Sequence, residues 1–499
     1  MNLEVAQTMV WRRKNWQNTW NICRFRLMVN GLKKKSSKSR ETVTLCRERL
    51  DSWGLYLHAR TDVARPALQA DLKRLLKAGR QRHILAYGRG LSYGDACLNR
   101  NQITVKFDDL SHVISFNVER GILICEAGIT LTEINRMTLP HGWFIPVTPG
   151  TSYPTLGGCF AADVHGKNHH HAGSISNHVR WIELVTAVGK VIRCSGRTNA
   201  DLFRTTAGGM GLTGLIYRLS LKLKRVNSVY IRAEHVRVRN LREMMETLHA
   251  GDSLWDYSVS WIDCAAGGLD LGRGEVAFGR HAEPDELPFN SHSKPFDIPS
   301  KAGLELPCTP PLSLVSNLTT RLFNELYIRR GGSRRKRTLI VPYDKFFYPL
   351  DMVRAWNRLY GRSGFIQYQF VVPFDAGYGV VRKILETCLK TGHIPSLAVL
   401  KRLGPGNGLL SFTIPGWTLA IDLPVKPGLL PMLDEFDRSI IDHGGRVYLA
   451  KDARLSSEAF RAMYPEFPRW LSIKRKVDPE DLFSSDMSRR LRMSTEEAN

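Results

Sequence analysis

Thirty consecutive residues, Pro149 to His178 (PGTSYPTLGGCFAADVHGKNHHHAGSISNH), constrain the fold more than any other stretch of the chain. Gly150, Gly157, Gly158 and Gly166 remove side chains that would obstruct a large planar ligand, and Cys159, Ala161 and Ala162 keep the positions between them small. Backbone can approach a cofactor closely in such a stretch. If Thr155 caps a short helix that begins at Leu156, the N–H groups of its first turn, including those of Gly157 and Gly158, form a cradle for a pyrophosphate. A lone Gly-Gly pair is equally at home in a turn between two strands, so the choice needs further residues.

Length permits a large core. The 499 residues leave room for two or three domains of about 150 residues each. No run of about 18 apolar residues occurs, and the first 20 residues lack an apolar core ahead of a small-residue cleavage site. The expectation is a chain without signal peptide or membrane span, cytoplasmic or peripheral on the inner membrane. Nine cysteines are scattered with no C-x-x-C pair, which fits reduced thiols and neither a disulfide framework nor a zinc site.

The formal net charge of +24 raises the question of an anionic partner. Residues 1 to 40 hold ten Lys or Arg against one acid, Glu4, and the run Arg329 to Arg337 (RRGGSRRKR) holds six more. Both suit an anionic membrane surface or a phosphate backbone, and both are equally readable as a solvated tail and loop. Neither interleaves the aromatics of a single-strand binder, so no nucleic acid is expected.

Residues 1–45 show no sustained period and read as a basic, disordered extension, with Met28 a plausible alternative start. From His83 the pattern is one of short strands and tight turns: HILAYG running into GRGLSYGD, ITVKFDDL, a hairpin VISFNVERGILICEAGI turning at Arg120-Gly121, a helix capped by Thr130 or Thr132, and a second hairpin WIELVTAVGKVIRCS. In LIYRLSLKLKRV, Leu215, Tyr217, Leu219 and Leu221 alternate with Ile216, Arg218, Ser220 and Lys222, which predicts a strand with one face covered. After Val226 the units lengthen. A helix NLREMMETLHAG and strand YSVSWID precede a Pro-rich loop from Glu283 to Pro311. Two strand–helix–strand units follow, GFIQYQFVVP to SLAVLKRLG and GWTLAIDLPV to RVYLAKDA, which predicts an antiparallel sheet backed by helices on one face. The tail SSEAFRAMYPEFPRWLSIKRKVDPEDLFSS reads as helical with Pro breaks.

Taken together, YGRGLSYGD, the Pro149–His178 stretch, GGMGLTGLI, GFIQYQF, LPV with YLAKDAR, and RKVDPEDLF resemble, in order and spacing over residues 50 to 492, the flavin oxidoreductases of the vanillyl-alcohol-oxidase (PCMH) type, and among them the oxidases of polyprenylphosphoryl ribose. The resemblance implies an α+β chain. A PCMH-type FAD domain would be built from residues 46–225 and a C-terminal return, 446–490, around a substrate domain at 226–445. It implies that FAD is lined by Tyr87, Gly88, Arg89, Gly90, Leu91, Ser92, Tyr93, Gly94, Asp95, Ala96, Gly150, Thr155, Leu156, Gly157, Gly158, Ala162, Asp163, Val164, His165, Ile216 and Tyr448. Asp95, in a Gly-Asp turn, is also explained as a turn residue. Relatives that attach FAD covalently read G-x-G-H-S where this chain has Gly88-Arg89-Gly90-Leu91-Ser92. Leucine cannot form that bond, so noncovalent FAD is expected.

From its residues alone Lys451 reads as a strand-end lysine in solution; the same match reverses that and makes it the first candidate for catalysis, an ammonium ion beside the flavin edge where two-electron reduction leaves negative charge. Gln367 and Gln369 lie two apart on a strand and share a face, turned to a sugar ring, a flavin edge or solvent, while Tyr368 and Phe370 share the other. Lys401 ends an apolar strand and is matched to the lipid phosphate. Tyr93 and His165 are matched to the sugar hydroxyl, which must also lose a proton to an acceptor within reach. His169, His170 and His171 with His165 and His178 suggest a metal patch, but adjacent side chains converge poorly and no metal is expected. Two departures stand out: Thr418-Leu419-Ala420 replaces Asn, Ile and Cys, and Phe347-Tyr348 replaces Tyr-His.

The implied activity is oxidation of the 2-hydroxyl of a polyprenylphosphoryl-β-D-ribose to a 2-keto sugar, with an NAD(P)H-dependent short-chain reductase completing epimerisation to the arabinose form. The basic clusters would then serve peripheral contact with a bilayer. Another sugar-alcohol or aldonolactone oxidase on the same scaffold, and a nonenzymatic basic protein binding membrane or nucleic acid, are the rival readings.

Overall fold

The computed structural model describes residues 44–78, 81–288, 294–298, 303–330 and 335–494. The basic extension expected at 1–45 lies outside them except for its last two residues, as does the centre of the second basic run, 331–334.

The first part of the chain forms two sheets. In one, β1 (Leu45–Asp51) pairs antiparallel with β2 (His58–Ala64), while β3 (Ile84–Tyr87) and β4 (Ile103–Lys106) join it in parallel, in the order β1-β2-β4-β3. The other is antiparallel: β5 (Val113–Asn117), β6 (Ile122–Glu126), β8 (Val179–Val185), β9 (Val191–Cys194) and β10 (Leu215–Lys222), in the order β5-β6-β10-β8-β9. Both expected hairpins are here, β5–β6 turning through Gly121 at φ +58. Thr130, not Thr132, caps the helix Leu131–Thr138, in a reciprocal pairing with Glu133. β10 departs from the one-face expectation. Ile216 and Ser220 are as buried as Leu219 and Leu221, because β10 is the central strand and both faces are covered. A small pair, β7 (Trp143–Phe144) and β11 (Lys224–Arg225), closes this half.

Beyond Val226 one antiparallel sheet dominates. It contains β12 (Tyr230–Val238), β13 (Tyr257–Ile262), β14 (Gly274–His281), β16 (Lys336–Pro342), β18 (Phe365–Val372), β19 (Leu397–Leu403), β20 (Gly416–Pro424) and β21 (Arg446–Val447), ordered β16-β12-β14-β13-β19-β20-β18-β21. A short parallel pair, β15 (Leu304–Glu305) and β17 (Val353–Arg354), flanks it. The helices Leu241–Gly251, Phe374–Lys390 and Leu429–Asp442 pack against the sheet and share its apolar core. Strands β12, β14 and β16 and the helix Asn317–Arg329 were not anticipated. The expected strand RVYLAKDA shortens to Arg446–Val447 because the chain turns at Tyr448, where the N–H groups of Lys451 and Asp452 return to its carbonyl.

The C-terminal segment packs on both halves. Val447, Tyr464 and Trp470 join the core of the large sheet, whereas Leu482 and Phe483 join that of the smaller sheets, where the Ile84 N–H donates to the Leu482 carbonyl at 2.7 Å. Arg490 bonds both Asp95 oxygens, at 2.7 and 2.8 Å, and Asp452 at 2.8 Å.

Candidate active site

A cavity of about 960 Å³ opens between the glycine-rich segments and the large sheet, at the upper end of the range of about 300–1,000 Å³ usual for cofactor sites. Thr155 caps the helix Leu156–Ala161, its hydroxyl accepting the Gly158 N–H at 3.1 Å. The expected cradle does not form there. Leu156 N–H donates to the Ile129 carbonyl and Gly157 N–H to the Ala127 carbonyl, at 2.8 and 2.9 Å, so the first-turn donors tie the helix to the neighbouring chain. Free donors lie in the other glycine loop, where the N–H groups of Gly90, Leu91 and Ser92 have no acceptor among the described residues and all three residues line the cavity. Gly90 turns with φ +66, and a Cβ there would lie 1.9 Å from the Tyr87 hydroxyl, so glycine is required. A Cβ on Gly150 would meet nothing within 4 Å, as befits a residue of the cavity wall.

A second part of the cavity is charged. Tyr93 N–H donates to the Ala450 carbonyl at 3.0 Å, which brings the glycine loop against the turn that carries Lys451. As a result Lys451 Nζ lies 3.5 Å from the centre of the Tyr93 ring. Gln367 donates to Oδ1 of Asp422, its register partner on β20, at 2.5 Å. Asp422 is buried and its other oxygen has no partner among the described residues. Burial pushes the Asp422 carboxyl up and the Lys451 ammonium down, and the charge of each partly opposes the shift of the other. Burial also raises the Tyr93 phenol far above its usual range.

Two more ammonium groups face the same space. Lys401, on β19, is lowered by burial to about 8. Lys167 is lowered to about 7 by burial and then by the charge of Lys401. Lys167 donates to the Phe346 carbonyl and stands 4.6 Å from the centre of that ring; neither lysine has a carboxylate partner among the described residues. Burial, followed by the charge of Lys401, holds His165 neutral, and the Gln369 amide donates to its Nε2 at 2.9 Å.

The structure therefore gathers Tyr87, Gly88, Arg89, Gly90, Leu91, Ser92, Tyr93, Ala96, Gly150, Thr155, Gly157, Gly158, Ala162, Val164, His165, Ile216, Gln367, Lys401, Tyr448 and Lys451 around one cavity. Five expected residues stand off its wall. Gly94 allows close packing, since a Cβ would fall 1.7 Å from the Asp452 carbonyl oxygen. Asp95 is consumed by Arg490, Leu156 is buried in the apolar core, and Asp163 accepts from the Ser411 hydroxyl. Gln369 stands behind His165, bridging it to Thr418 Oγ1 at 3.2 Å. Of the other histidines, His169 bonds Ser174 and the Gly404 N–H, His178 bonds the Ala172 carbonyl, and His170 and His171 both face Asp252, His171 at its carbonyl and His170 3.8 Å from its carboxylate. Of the Phe347-Tyr348 pair, Phe347 lines the cavity, and Tyr348 is buried with its hydroxyl on Thr148 and Asn135.

Residues 62–195 match the profile of an FAD-binding domain, and residues 423–491 match that of D-arabinono-1,4-lactone oxidase. Over 415 residues, 83% of this chain and 90% of the other, the sequence is 38% identical to the decaprenylphosphoryl-β-D-ribose oxidase of Mycolicibacterium smegmatis. The chain belongs to this oxidase family. An uncharacterized protein of Streptomyces coelicolor is 34% identical over 73% of this chain and 100% of its own, and the D-lactate dehydrogenase of Archaeoglobus fulgidus is 25% identical over 32% of this chain and 38% of its own.

FAD fits what the oxidase-family chain provides: unsatisfied N–H groups at 90–92 suit a pyrophosphate, and the same cavity is lined by Ile216, Tyr448 and Lys451. Two residues escaped the sequence reading, Lys167 on the cavity wall and Asp422 behind Gln367. Asp422 was detectable as the one charge in an otherwise apolar strand, GWTLAIDLP, and Lys167 as the one cation within the Pro149–His178 stretch.

Proposed function

We propose that the chain is an FAD-dependent oxidase of the 2-hydroxyl of a polyprenylphosphoryl-β-D-ribose, with noncovalent FAD and a 2-keto sugar as product. Bound FAD supplies a two-electron acceptor for the hydride leaving the sugar carbon. The chain's own groups do the rest. Lys451 places a cation where negative charge develops, in a site poor in water, where such a charge counts for most. Tyr93 stands beside it, with Gln367 and Asp422 bonded to each other behind, and the field of Asp422 helps hold charge on Lys451. His165, kept neutral and held by Gln369, presents a ring that orients the sugar without adding charge.

The observation that carries the substrate class is the pair Lys167 and Lys401, two half-buried lysines on the cavity wall with no carboxylate partner among the described residues. A phosphate joined to the sugar meets that need, and a neutral polyol or lactone does not. Leu91 at the position of the attaching histidine supports noncovalent FAD. The product is a ketone, so a reductase of the NAD(P)H-dependent short-chain class would complete epimerisation, and a lipid-linked substrate places the enzyme at a membrane surface. No helix among the described residues is long and apolar enough to cross a membrane.

The test mixes purified holoenzyme with a prenylphosphoryl ribose and, separately, with free ribose, soluble polyols and aldonolactones, following loss of the flavin absorbance and formation of the keto sugar. Bleaching by the phosphorylated lipid alone supports the reading; equal bleaching by an aldonolactone overturns it. Acid precipitation should leave the yellow colour in the supernatant.

A further inference from the structure

The helix Asn317–Arg329 has its faces reversed for a protein surrounded by water. Toward the protein it turns polar groups. The Asn317 amide donates to the Gly392 carbonyl at 2.8 Å, the Asn324 amide donates to Asp263 at 2.7 Å, and Thr320 is buried beside them. Toward solvent it turns Leu318, Leu322, Phe323 and Leu326, each between 58% and 76% exposed. Single exposed leucines are ordinary, but four large apolar residues at i, i+4, i+5 and i+8 make a continuous stripe that calls for an occupant.

Two features of the stripe identify that occupant. First, it runs into the cavity. Phe323 and Tyr327, stacked 6.1 Å apart, line the cavity, as do the partly exposed Leu339 and Met352, so whatever covers the stripe adjoins whatever enters the site. Second, its flanks carry cations without acids. Arg321 donates to the Ala265 carbonyl and Arg330 lies over the Tyr327 ring at 5.2 Å; neither has a carboxylate partner among the described residues. The neighbouring Arg329, Arg335, Lys336 and Arg337 are instead each matched to a glutamate.

We infer that this face docks the protein on an anionic lipid bilayer, with Leu318, Leu322, Phe323 and Leu326 set at the boundary between headgroups and acyl chains and Arg321 and Arg330 on lipid phosphates. The inference rests on the proposed lipid-linked substrate in one respect. A polyprenyl tail does not leave lipid for water, because each of its methylenes would be re-exposed, so the headgroup must be taken up at the membrane and the mouth of the site must lie against it. Apolar insertion supplies the depth, and each guanidinium near the surface adds attraction to the anionic headgroups.

The experiment compares full-length holoenzyme with its Leu318→Asp/Leu322→Asp/Leu326→Asp variant in sedimentation with vesicles of phosphatidylglycerol and phosphatidylcholine, and of phosphatidylcholine alone. None of the three leucines lines the cavity, and circular dichroism with the flavin spectrum reports that the variant is folded. The expected result is at least about tenfold weaker binding of the variant to anionic vesicles, with oxidation of a short-chain, water-soluble prenylphosphoryl ribose unchanged. Arg321→Glu should remove preference for the anionic vesicles over the neutral ones. Unaltered vesicle binding by the triple variant overturns the inference. So does a wild-type protein that ignores vesicles but self-associates through this face, becoming smaller in light scattering when the leucines are replaced. Vesicle binding that follows the prediction in a protein that leaves prenylphosphoryl ribose untouched would instead defeat the proposed substrate and keep the docking surface.

Discussion

Lys451 is held by a ring face on one side and a buried carboxylate's field on the other, with no hydrogen-bond partner fixing its ammonium among the described residues. Such a cation is available to answer charge that arises during reaction. Removing a preorganised group of this kind typically costs about 10²–10³ in rate, so Lys451→Met should slow single-turnover flavin bleaching by that order while substrate half-saturation and FAD content stay near normal. Stopped-flow absorbance decides this, and unchanged bleaching would show the lysine to be structural. Lys401 carries the pH dependence. Its pKa is lowered to about 8, so it is charged below that pH and neutral above it. Binding of a phosphate should therefore weaken as pH rises through about 8, seen as a rising KM, and Lys401→Met should raise KM at low pH and flatten the profile. A KM that falls with pH would contradict the assignment.

At the scale of elements, the helix cap and the glycine loop interlock. A Cβ on Gly88 would sit 2.5 Å from Thr155 Oγ1, the atom that caps Leu156–Ala161. Gly88→Ala should consequently lower FAD uptake. Thr155→Ala alone should cost about 1 kcal/mol of stability through the lost cap. Combined, the two should hold FAD better than Gly88→Ala alone, because the second change removes the atom that the new methyl group meets. Flavin fluorescence titration of the three apoproteins measures this non-additivity, and a double variant worse than either single one would refute the contact.

Across the whole molecule, the half-buried Arg490 joins residues that are far apart in sequence. Arg490→Met leaves Asp95 and Asp452 uncompensated, a loss of about 3–5 kcal/mol for a broken buried pair, and should lower the thermal midpoint sharply. Adding Asp95→Asn and Asp452→Asn should restore part of it. What the sequence made legible follows the same division between near and far. The Thr155 cap, the hairpin at Gly121 and the shared face of Gln367 and Gln369 depend on neighbours and were readable. The occupied N–H groups of Leu156 and Gly157 were not, since their acceptors, Ile129 and Ala127, come from another part of the chain. Asp95 read as a turn or cofactor residue because Arg490 lies 395 positions away. The helix Asn317–Arg329 was missed since its apolar residues follow the usual period but face outward, next to a Pro-rich loop that carries no period of its own.

The lacing of Tyr93 to Ala450, Ile84 to Leu482 and Asp95 to Arg490 bears on how the enzyme is made. While residues 446–490 are still inside the ribosome, the glycine loop lacks the turn it rests on and the cavity lacks Lys451. A nascent chain thus has no finished seat for flavin, and loading with the vitamin-derived group should begin only after translation ends.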